Sequence, residues 1–304
     1  MLLFIEQLFN GLQLGVMLFL MSAGLTLVFG IMRVINLAHG SLYMMGAYIA
    51  ATVVQHSGSF ILALLTALAA TALLGMLIEV IVLRRLYKRD HLDQVLATFG
   101  LILFFNELTR IVWGRQPLFM DVPGWLSETI EIIPGAPYPS YRLAIISVGI
   151  LAAVFLYLMF TRTRLGMKIR AGAANREMVA ALGVNITLLN TLIFGLGALL
   201  AALAGAMAGP ILAVESGMGE SILILTFVVI VIGGIGSIRG AFIGAILVGI
   251  VETLGKFALP LLLRLMLPPA SADGTGASLA SMSVYILMAA VLIWRPRGLF
   301  PAHD

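Results

Sequence analysis

Long apolar segments separated by short polar ones repeat along almost the whole chain. Segments of about 20 apolar residues match the roughly 30 Å hydrocarbon core of a bilayer when they form helices. The pattern therefore predicts an all-α fold, a polytopic membrane helical bundle of about 8–9 transmembrane helices. The second, seventh and last segments are short for a full crossing, so we also expect short or broken helices. The predicted spans are 8–29, 41–56, 60–83, 93–112, 142–160, 188–210, 221–236, 239–260 and 281–294.

The composition agrees with this fold class and excludes several kinds of chemistry. Of the 304 residues, 61% are hydrophobic and 11% are charged, whereas soluble domains carry about 25% charged residues. The chain has no cysteine, which excludes disulfides, thiol catalysis and Cys-ligated metal. The histidines, His39, His56, His91 and His303, show neither metal-ligand spacing nor a Ser/His/Asp order. We therefore predict no catalytic residue and no metal site.

The distribution of basic residues predicts the orientation of the chain. Segments 30–40, 84–92, 161–187 and 295–304, together with Arg239, hold most of the 18 Lys and Arg residues. Because cytoplasmic loops carry the excess of Lys and Arg, we expect these segments on the cytoplasmic side. That places the N-terminus outside and the C-terminus inside. The first residues lack the basic region of a signal peptide, so we expect the N-terminus to be retained.

Residues 1–304 are interpreted as a single transmembrane domain. The largest outer loop, at about 113–141, is rich in Pro and turn residues, and we expect irregular structure or a short strand pair there. The segment 267–278, LPPASADGTGAS, is interpreted as a flexible connector before the last span.

Glycines cluster in the stretch VIGGIGSIRGAFIGA. Gly233, Gly234 and Gly236 are too dense for a continuous helix, so they predict a break or a tight turn. Gly240 and Gly244 stand four residues apart, the spacing at which small residues let membrane helices pack closely. The stretch lacks the preceding strand of a dinucleotide site, and nothing in the chain fits GxxxxGK[ST]. We therefore expect no ATPase site in this chain.

Several polar residues inside or beside the apolar spans are candidates for a translocation path or gate. They are Asn36, His39, Ser41, Asn106 and Glu252. Polar side chains at membrane depth usually face a cavity or another helix. Structural roles are the alternative, since Asn36 and His39 suit a turn and a helix end, and Asn106 suits interfacial hydrogen bonding. Glu252 stands four residues before Lys256, the spacing of an ion pair on one helix face.

A further acidic residue, Glu79, lies near the end of the third span, ahead of Arg84 and Arg85. Acidic and basic side chains in membrane segments pair with one another. We expect an ion pair at the membrane interface here.

The segment of about 163–186 is polar and Ala-rich in an otherwise apolar chain. Good helix formers run from Ala171 to Leu182, and Gly183 is placed to end the helix. Met178, Ala181 and Leu182 share one face. Such a helix is too short to be stable alone or to cross a membrane. It either lies on the bilayer surface or docks into a protein socket, and its weak apolar face favours the socket.

Four long blocks of the sequence carry a resemblance to a known family. They are GLTLVFGIMRVINLAHGSLYMMGAY, LGMKIRAGAANREMVAALGVN, GGIGSIRGAFIGAILVGIVETL and YILMAAVLIWRPRGLFP. Over essentially its whole length the chain resembles the permease subunit of branched-chain amino-acid ABC importers. The resemblance implies a multi-pass permease of the bacterial inner membrane, without an ATPase site of its own.

The resemblance also implies partners. These are a second homologous permease subunit, two cytoplasmic ABC ATPase subunits that bind ATP and Mg²⁺, and a periplasmic substrate-binding protein. It implies no cofactor in this chain and no nucleic acid. The middle block would hold the coupling helix that docks onto an ATPase subunit. The docking residues implied are Ala173, Asn175, Arg176, Glu177, Met178, Ala181, Leu182 and Gly183.

The function implied is ATP-driven import of Leu, Ile and Val by alternating access. Within the same family, urea, short amides and other amino acids are alternative substrates. A secondary transporter or channel is a second hypothesis, with Glu252 as its deeply placed acidic residue. A membrane-embedded enzyme is a third, which no grouped nucleophile, acid–base pair or metal-ligand set in the sequence supports.

Overall fold

The structure, a computed structural model, describes residues 2–32, 34, 36–87, 89–133 and 135–301. Arg33, Lys88 and His303 lie outside the described residues. The helices are α1 Leu2–Met32, α2 His39–Ser57, α3 Phe60–Leu86, α4 His91–Trp113, α5 Ser140–Arg162, α6 Arg164–Ala174, α7 Arg176–Ala181, α8 Ile186–Ala208, α9 Met218–Gly233, α10 Ile238–Leu263 and α11 Pro269–Trp294. Helix α3 includes a π-helical turn at Glu79–Leu83.

Within the described ranges, seven helices are long and apolar enough to cross a membrane. They are α1, α3, α4, α5, α8, α10 and α11, and α9 is a shorter apolar helix. The expected all-α polytopic membrane fold is confirmed. Two of the three segments predicted to be short correspond to α2 and α9, and neither is among the seven helices that are long and apolar enough to cross a membrane. The prediction was wrong for the last, because α11 has 26 residues.

Helix α11 is longer than expected because segment 267–278 is mostly helical and is not a flexible connector. Gly276 lies against α10, where an added Cβ would be 2.6 Å from the Pro260 Cα. The Arg264 guanidinium also donates to both carboxylate oxygens of Asp273, at 2.9 and 2.8 Å. Gly276 therefore serves close helix packing, a role that composition alone does not distinguish from flexibility.

The predicted loop at 113–141 contains a two-stranded antiparallel sheet, β1 Thr129–Ile133 and β2 Ala136–Pro139. Ile130 is paired with Tyr138. The Tyr138 hydroxyl donates to Asn10 Oδ1 of α1 at 3.1 Å. The expected short strand pair is confirmed, and this hydrogen bond fixes it to a membrane helix.

The chain divides into two compact units. One consists of the described residues of Met1–Ser22, Gly124–Ile150 and Leu225–Asp304, and the other of Ala23–Pro123 and Leu151–Ile224. Both units are discontinuous in sequence, because α1, α5 and α9 each contribute one end to each unit. The interpretation of residues 1–304 as a single domain stays a prediction.

In the second unit, α2, α3 and α8 pack against one another around small residues. An added Cβ on Gly205 of α8 would lie 2.0 Å from the Tyr43 carbonyl oxygen of α2. One on Gly46 of α2 would lie 2.5 Å from the Cα of Ala202. In a membrane, such close approach supplies the van der Waals contact that hydrophobic burial supplies in water. The core of this unit therefore depends on glycine.

In the first unit, α9 ends at Gly233, and Gly234 and Gly236 have φ of +105° and +84°. The Ser237 hydroxyl then accepts a hydrogen bond from the Gly240 N–H at 3.1 Å and caps α10. The predicted positions thus form a tight turn with two left-handed residues, a conformation that favours glycine.

Helices α9 and α10, on either side of this turn, pack closely against each other. An added Cβ on Gly240 would lie 2.1 Å from the Gly233 carbonyl oxygen, and one on Gly244 would lie 2.8 Å from the Val229 carbonyl oxygen. The C-terminal residues cover the end of α9, since the Leu299 and Phe300 N–H groups donate to the carbonyls of residues 232 and 233 at 2.8 and 2.9 Å.

We predict that Gly240→Ala destabilises the protein by about 1–3 kcal/mol, because backbone atoms cannot move aside as a flexible side chain would. Gly100→Ala is the matched control, since nothing lies within 4 Å of an added Cβ at this helical position. The control should be neutral or slightly stabilising. Thermal unfolding of the purified variants, followed by tryptophan fluorescence, measures both effects. Equal melting temperatures for Gly240→Ala and the wild type would contradict this packing.

Candidate functional site

The polar segment of 163–186, called here the coupling segment, consists of two helices joined at Asn175. Asn175 has φ −149° and ψ 99°, which is extended backbone, and its Oδ1 accepts a hydrogen bond from the Met178 N–H at 2.9 Å. The single helix predicted from Ala171 to Leu182 is therefore wrong. Asn favours helix N-caps over helix interiors, because its side chain satisfies free backbone N–H groups. That preference outweighs the helix propensity of the surrounding alanines.

The second helix of the coupling segment, α7, ends at a left-handed glycine. Gly183 has φ +84°. Its N–H donates to the Ala180 carbonyl at 3.0 Å, and the Val184 N–H donates to the Val179 carbonyl at 3.3 Å. This is the hydrogen-bond pattern of a glycine-terminated helix. Gly183 therefore holds the exit from α7 in a conformation that other residues adopt at a cost.

Helix α7 buries one side chain and exposes two large apolar ones. Val179 is 6% exposed, whereas Met178 is 58% and Leu182 is 76% exposed. Ala181 and Gly183 are exposed beside them. The apolar face predicted from the sequence thus points away from the rest of the described chain. It gives a short helix two apolar side chains that a partner could bury.

A groove of about 540 Å³ lies beside the coupling segment in the second unit. It is lined by Ile31, Met32, Tyr87, Arg89, His91, Gln94, Gly172, Ala173, Ala174, Asn175, Arg176 and Glu177. Four of the docking residues implied by the family resemblance, Ala173, Asn175, Arg176 and Glu177, therefore share one concave surface. Its lining mixes apolar, basic and acidic groups and so suits a protein surface better than a lipid chain.

Glu79 lies at the π-helical turn of α3 and is fully buried. Its Oε2 accepts hydrogen bonds from Arg84 Nη2 at 3.0 Å and from the Thr191 hydroxyl at 2.6 Å. Its Oε1 accepts from the Tyr87 hydroxyl at 2.6 Å. The expected ion pair between Glu79 and Arg84 is confirmed. The structure adds two hydroxyl donors, one of them from α8.

Three of the path candidates, Asn36, His39 and Ser41, are buried at the start of α2. Asn36 Oδ1 accepts a hydrogen bond from the Ala38 N–H at 3.1 Å, and the Ser41 N–H donates to the Ala38 carbonyl at 3.1 Å. An Asn side chain that bonds the backbone two residues ahead forms an Asx turn. The geometry therefore supports the turn interpretation of Asn36.

Asn106, the fourth path candidate, lies in α4 of the same unit. Its Nδ2 donates to Glu220 Oε1 of α9 at 2.5 Å, and its carbonyl accepts from the Ser216 hydroxyl at 3.1 Å. The start of α2 also meets α9, since an added Cβ on Gly40 would lie 2.3 Å from the Gly219 carbonyl oxygen. The first turn of α9 thus joins the elements that carry all four of these candidates.

Glu252, the fifth path candidate, lies in α10 and belongs to the first unit. Its side chain is buried, and Oε1 pairs with Lys256 Nζ at 2.6 Å. Within the described residues, Oε2 is buried without a hydrogen-bond partner. The pair at four-residue spacing agrees with the structural interpretation.

Residues 7–293 match the family of permease components of branched-chain amino acid transport systems. The chain belongs to this family. As a permease component it is not itself an enzyme, and with seven apolar spans in the described part of the chain it is a multi-pass membrane protein.

Curated relatives of this permease span most of its length. The permease protein BraD of a high-affinity branched-chain amino acid transport system from Pseudomonas aeruginosa is 31% identical and covers 97% of this chain and 95% of its own. LivH of Escherichia coli K12, from a system of the same description, is 29% identical over 87% of this chain and 94% of its own. The ribose import permease protein RbsC of the same strain is 29% identical over 81% and 76%. No solved structure matches the chain.

Two residues of the permease that no sequence pattern indicates, Tyr87 and Thr191, lie near the coupling segment in the structure. Tyr87 lies between α3 and α4, and the Arg176 guanidinium is 5.7 Å from the centre of its ring. Thr191 is in α8, 112 residues from Glu79 in sequence. Burial, followed by the hydrogen bond to Glu79, raises the pKa of the Tyr87 hydroxyl, so it stays protonated as a donor. No spacing in the sequence indicates either contact.

We predict that Asn175→Ala loosens α7 without unfolding the permease. Loss of an Asn N-cap costs about 1 kcal/mol, so amide exchange in α7 should become roughly fivefold faster. Hydrogen–deuterium exchange measured by mass spectrometry tests this. Asn185→Ala is the control. Asn185 caps α8 by accepting a hydrogen bond from the Leu188 N–H at 3.0 Å, so this substitution should speed amide exchange in α8 and leave α7 unchanged. Unchanged exchange in α7 would contradict the cap.

Proposed function

We propose that this chain is the membrane-spanning permease subunit of an ATP-binding-cassette importer that moves branched-chain amino acids across the bacterial inner membrane. The observation that carries the proposal is the exposed apolar face of α7, with Met178 and Leu182, in a chain that matches the permease family over residues 7–293. A permease without an ATPase site of its own needs such a surface to receive mechanical work from a partner.

In the proposed assembly, two cytoplasmic ABC ATPase subunits bind ATP and Mg²⁺, and the coupling segment docks onto one of them. The docking residues are those implied by the resemblance, all of them at least partly exposed: Ala173, Asn175, Arg176, Glu177, Met178, Ala181, Leu182 and Gly183. A second homologous permease and a periplasmic binding protein complete the importer. The excess of basic residues on the coupling-segment side supports a cytoplasmic position for it, with the N-terminus outside.

Force on the coupling segment has a short path into the membrane helices. Helix α6 begins two residues after α5 ends and folds tightly against it, since an added Cβ on Gly166 would lie 2.3 Å from the Met159 carbonyl oxygen. At the other end, the left-handed Gly183 and the Asn185 cap lead directly into α8. Movement of the segment thus displaces α5 and α8 together. No bond is made or broken in this chain, so no residue of it is catalytic.

The substrate proposal rests on the relatives that cover the chain best. BraD and LivH are named for branched-chain amino acids and cover 97% and 87% of this chain. RbsC is named for ribose and covers 81% at a similar identity, so identity alone does not select the cargo. Leu, Ile and Val are therefore proposed from coverage and from the apolar composition of the helices. Urea, short amides and other amino acids are the competitors to test.

The direct test is to purify the chain gently from its native membranes and identify its partners by mass spectrometry. The reconstituted complex is then assayed for uptake of labelled leucine with ATP, with a protonophore present. We expect ATPase subunits and a second permease to copurify, and uptake to depend on ATP and to resist the protonophore. A chain that purifies alone and transports with a proton gradient would overturn the proposal in favour of secondary transport.

We predict that Leu182→Asp abolishes coupling. A charge at this exposed apolar position would have to be buried in the ATPase groove, which costs several kcal/mol unless it is paired. ATP-dependent uptake should fall by more than about tenfold, as expected for a loss above 1.4 kcal/mol, while membrane insertion is unchanged. Gly183→Pro should act in the same direction, because Pro cannot adopt a positive φ.

Leu265→Asp is the matched control for Leu182→Asp. Leu265 is 82% exposed in the turn after α10, so the same substitution changes charge and exposure equally at a position with no proposed partner. Uptake should stay near the wild-type level in this variant. Normal uptake in both Leu182→Asp and Gly183→Pro would contradict the role of the coupling segment.

A further inference from the structure

Glu79 makes more contacts than an ion pair at a membrane interface requires. Its carboxylate is fully buried, and Arg84, Tyr87 and Thr191 all donate to it. A carboxylate removed from water is expensive unless its lone pairs are satisfied. Two neutral hydroxyl donors beside the guanidinium provide that satisfaction. They also tie the carboxylate to two further elements of the chain.

These contacts form a continuous connection from α7 to α8. The Arg176 guanidinium of α7 lies 5.7 Å from the ring centre of Tyr87, within the range of cation–π attraction. The Tyr87 hydroxyl donates to Glu79 Oε1, and the Thr191 hydroxyl of α8 donates to Glu79 Oε2, each at 2.6 Å. Arg84 Nη2 contacts both Glu79 and Thr191, at 3.0 and 2.9 Å. We call Glu79, Arg84, Tyr87 and Thr191 the Glu79 cluster.

The backbone at the Glu79 cluster is irregular. Glu79 is the first residue of the π-helical turn Glu79–Leu83, beyond which α3 ends at Leu86. Single π-helical turns inside α-helices are rare and often lie at functional sites. They alter the ladder of backbone hydrogen bonds locally. A helix can bend where that ladder is interrupted. The cluster therefore holds α3 at a point where its direction can change.

We propose that Glu79 is a positioning residue for energy coupling: its carboxylate holds Tyr87 against Arg176, so that movement of α7 passes into α3 and α8. This inference rests on the proposed function, because it names the residues through which the ATPase-driven movement reaches the membrane helices. The contact with Arg84 stays within α3. The contacts to Tyr87 and Thr191 are the ones that join the coupling segment to the core of the second unit.

The experiment uses the reconstituted importer with its ATPase subunits, second permease and binding protein. The variants are Tyr87→Phe, which keeps the ring beneath Arg176 and removes the hydroxyl, and Glu79→Gln, which keeps the shape and removes the charge. Tyr157→Phe is the matched control, since Tyr157 is an exposed tyrosine of α5. Three quantities are measured for each: copurification of the ATPase subunits, ATP hydrolysis and substrate uptake.

We expect both variants to retain assembly and ATP hydrolysis within about twofold. Uptake should fall by roughly fivefold in Tyr87→Phe, the effect of one lost hydrogen bond. It should fall at least as far in Glu79→Gln, which also removes the charge that pairs with Arg84. The number of ATP molecules hydrolysed per substrate transported therefore rises. Tyr157→Phe leaves this ratio unchanged. Because both substitutions interrupt one connection, the double variant should lose no more uptake than the more severe single variant.

The alternative outcomes overturn the inference in distinguishable ways. If assembly, hydrolysis and uptake fall in parallel, the cluster serves folding only. If uptake is normal in Tyr87→Phe, or if the two losses multiply in the double variant, the connection through Tyr87 does not carry the movement. If the wild-type chain itself shows no ATP-dependent uptake, the proposed function fails and the inference falls with it. Tyr87→Phe keeps the test decisive if Glu79→Gln does not fold, because it retains the half-buried ring.

Discussion

Helices in this chain meet where two backbones come closer than an intervening Cβ would permit. At Gly205, Gly46 and Gly240 an added methyl group would lie between 2.0 and 2.5 Å from backbone atoms of the neighbouring helix. Because lipid tails are as apolar as the side chains, burial of apolar surface drives helix association only weakly in a membrane. Close van der Waals contact replaces it, and glycine is the residue that makes such contact available. Both compact units depend on this constraint.

In the proposed function, the coupling segment depends on that packing. Helix α8 is the helix that Gly205 holds against α2, and it begins at the last residue of the coupling segment. A short element such as α7, with Val179 as its buried residue, has little stability of its own. It gains definition from Asn175 and Gly183, which fix the backbone at its two ends. Rigid ends on a small helix suit an element that transmits movement to its neighbours.

Two buried carboxylates show how the same chemistry serves different roles. Glu252 pairs with Lys256 four residues later on one helix, a contact that stays within α10. Glu79 binds donors from the end of α3, from the residue that follows it and from α8. The Glu252 pair stabilises a charge locally. Glu79 connects separate elements of the chain, so that a displacement of one element is transmitted to the others.

The sequence by itself determined the fold class, the family and the positions of most of the apolar helices, because apolar periodicity and long ordered motifs are local properties. At 113–141 it left irregular structure and a short strand pair as alternatives. Composition misled at α11, where Gly276 packs against Pro260, and at the coupling segment, where Asn175 divides a run of helix formers. Only the tertiary structure decided which polar groups meet. Tyr87 and Thr191 reach Glu79 from 8 and 112 residues away, and partners at such separations are set by how the helices cross, which no local pattern encodes.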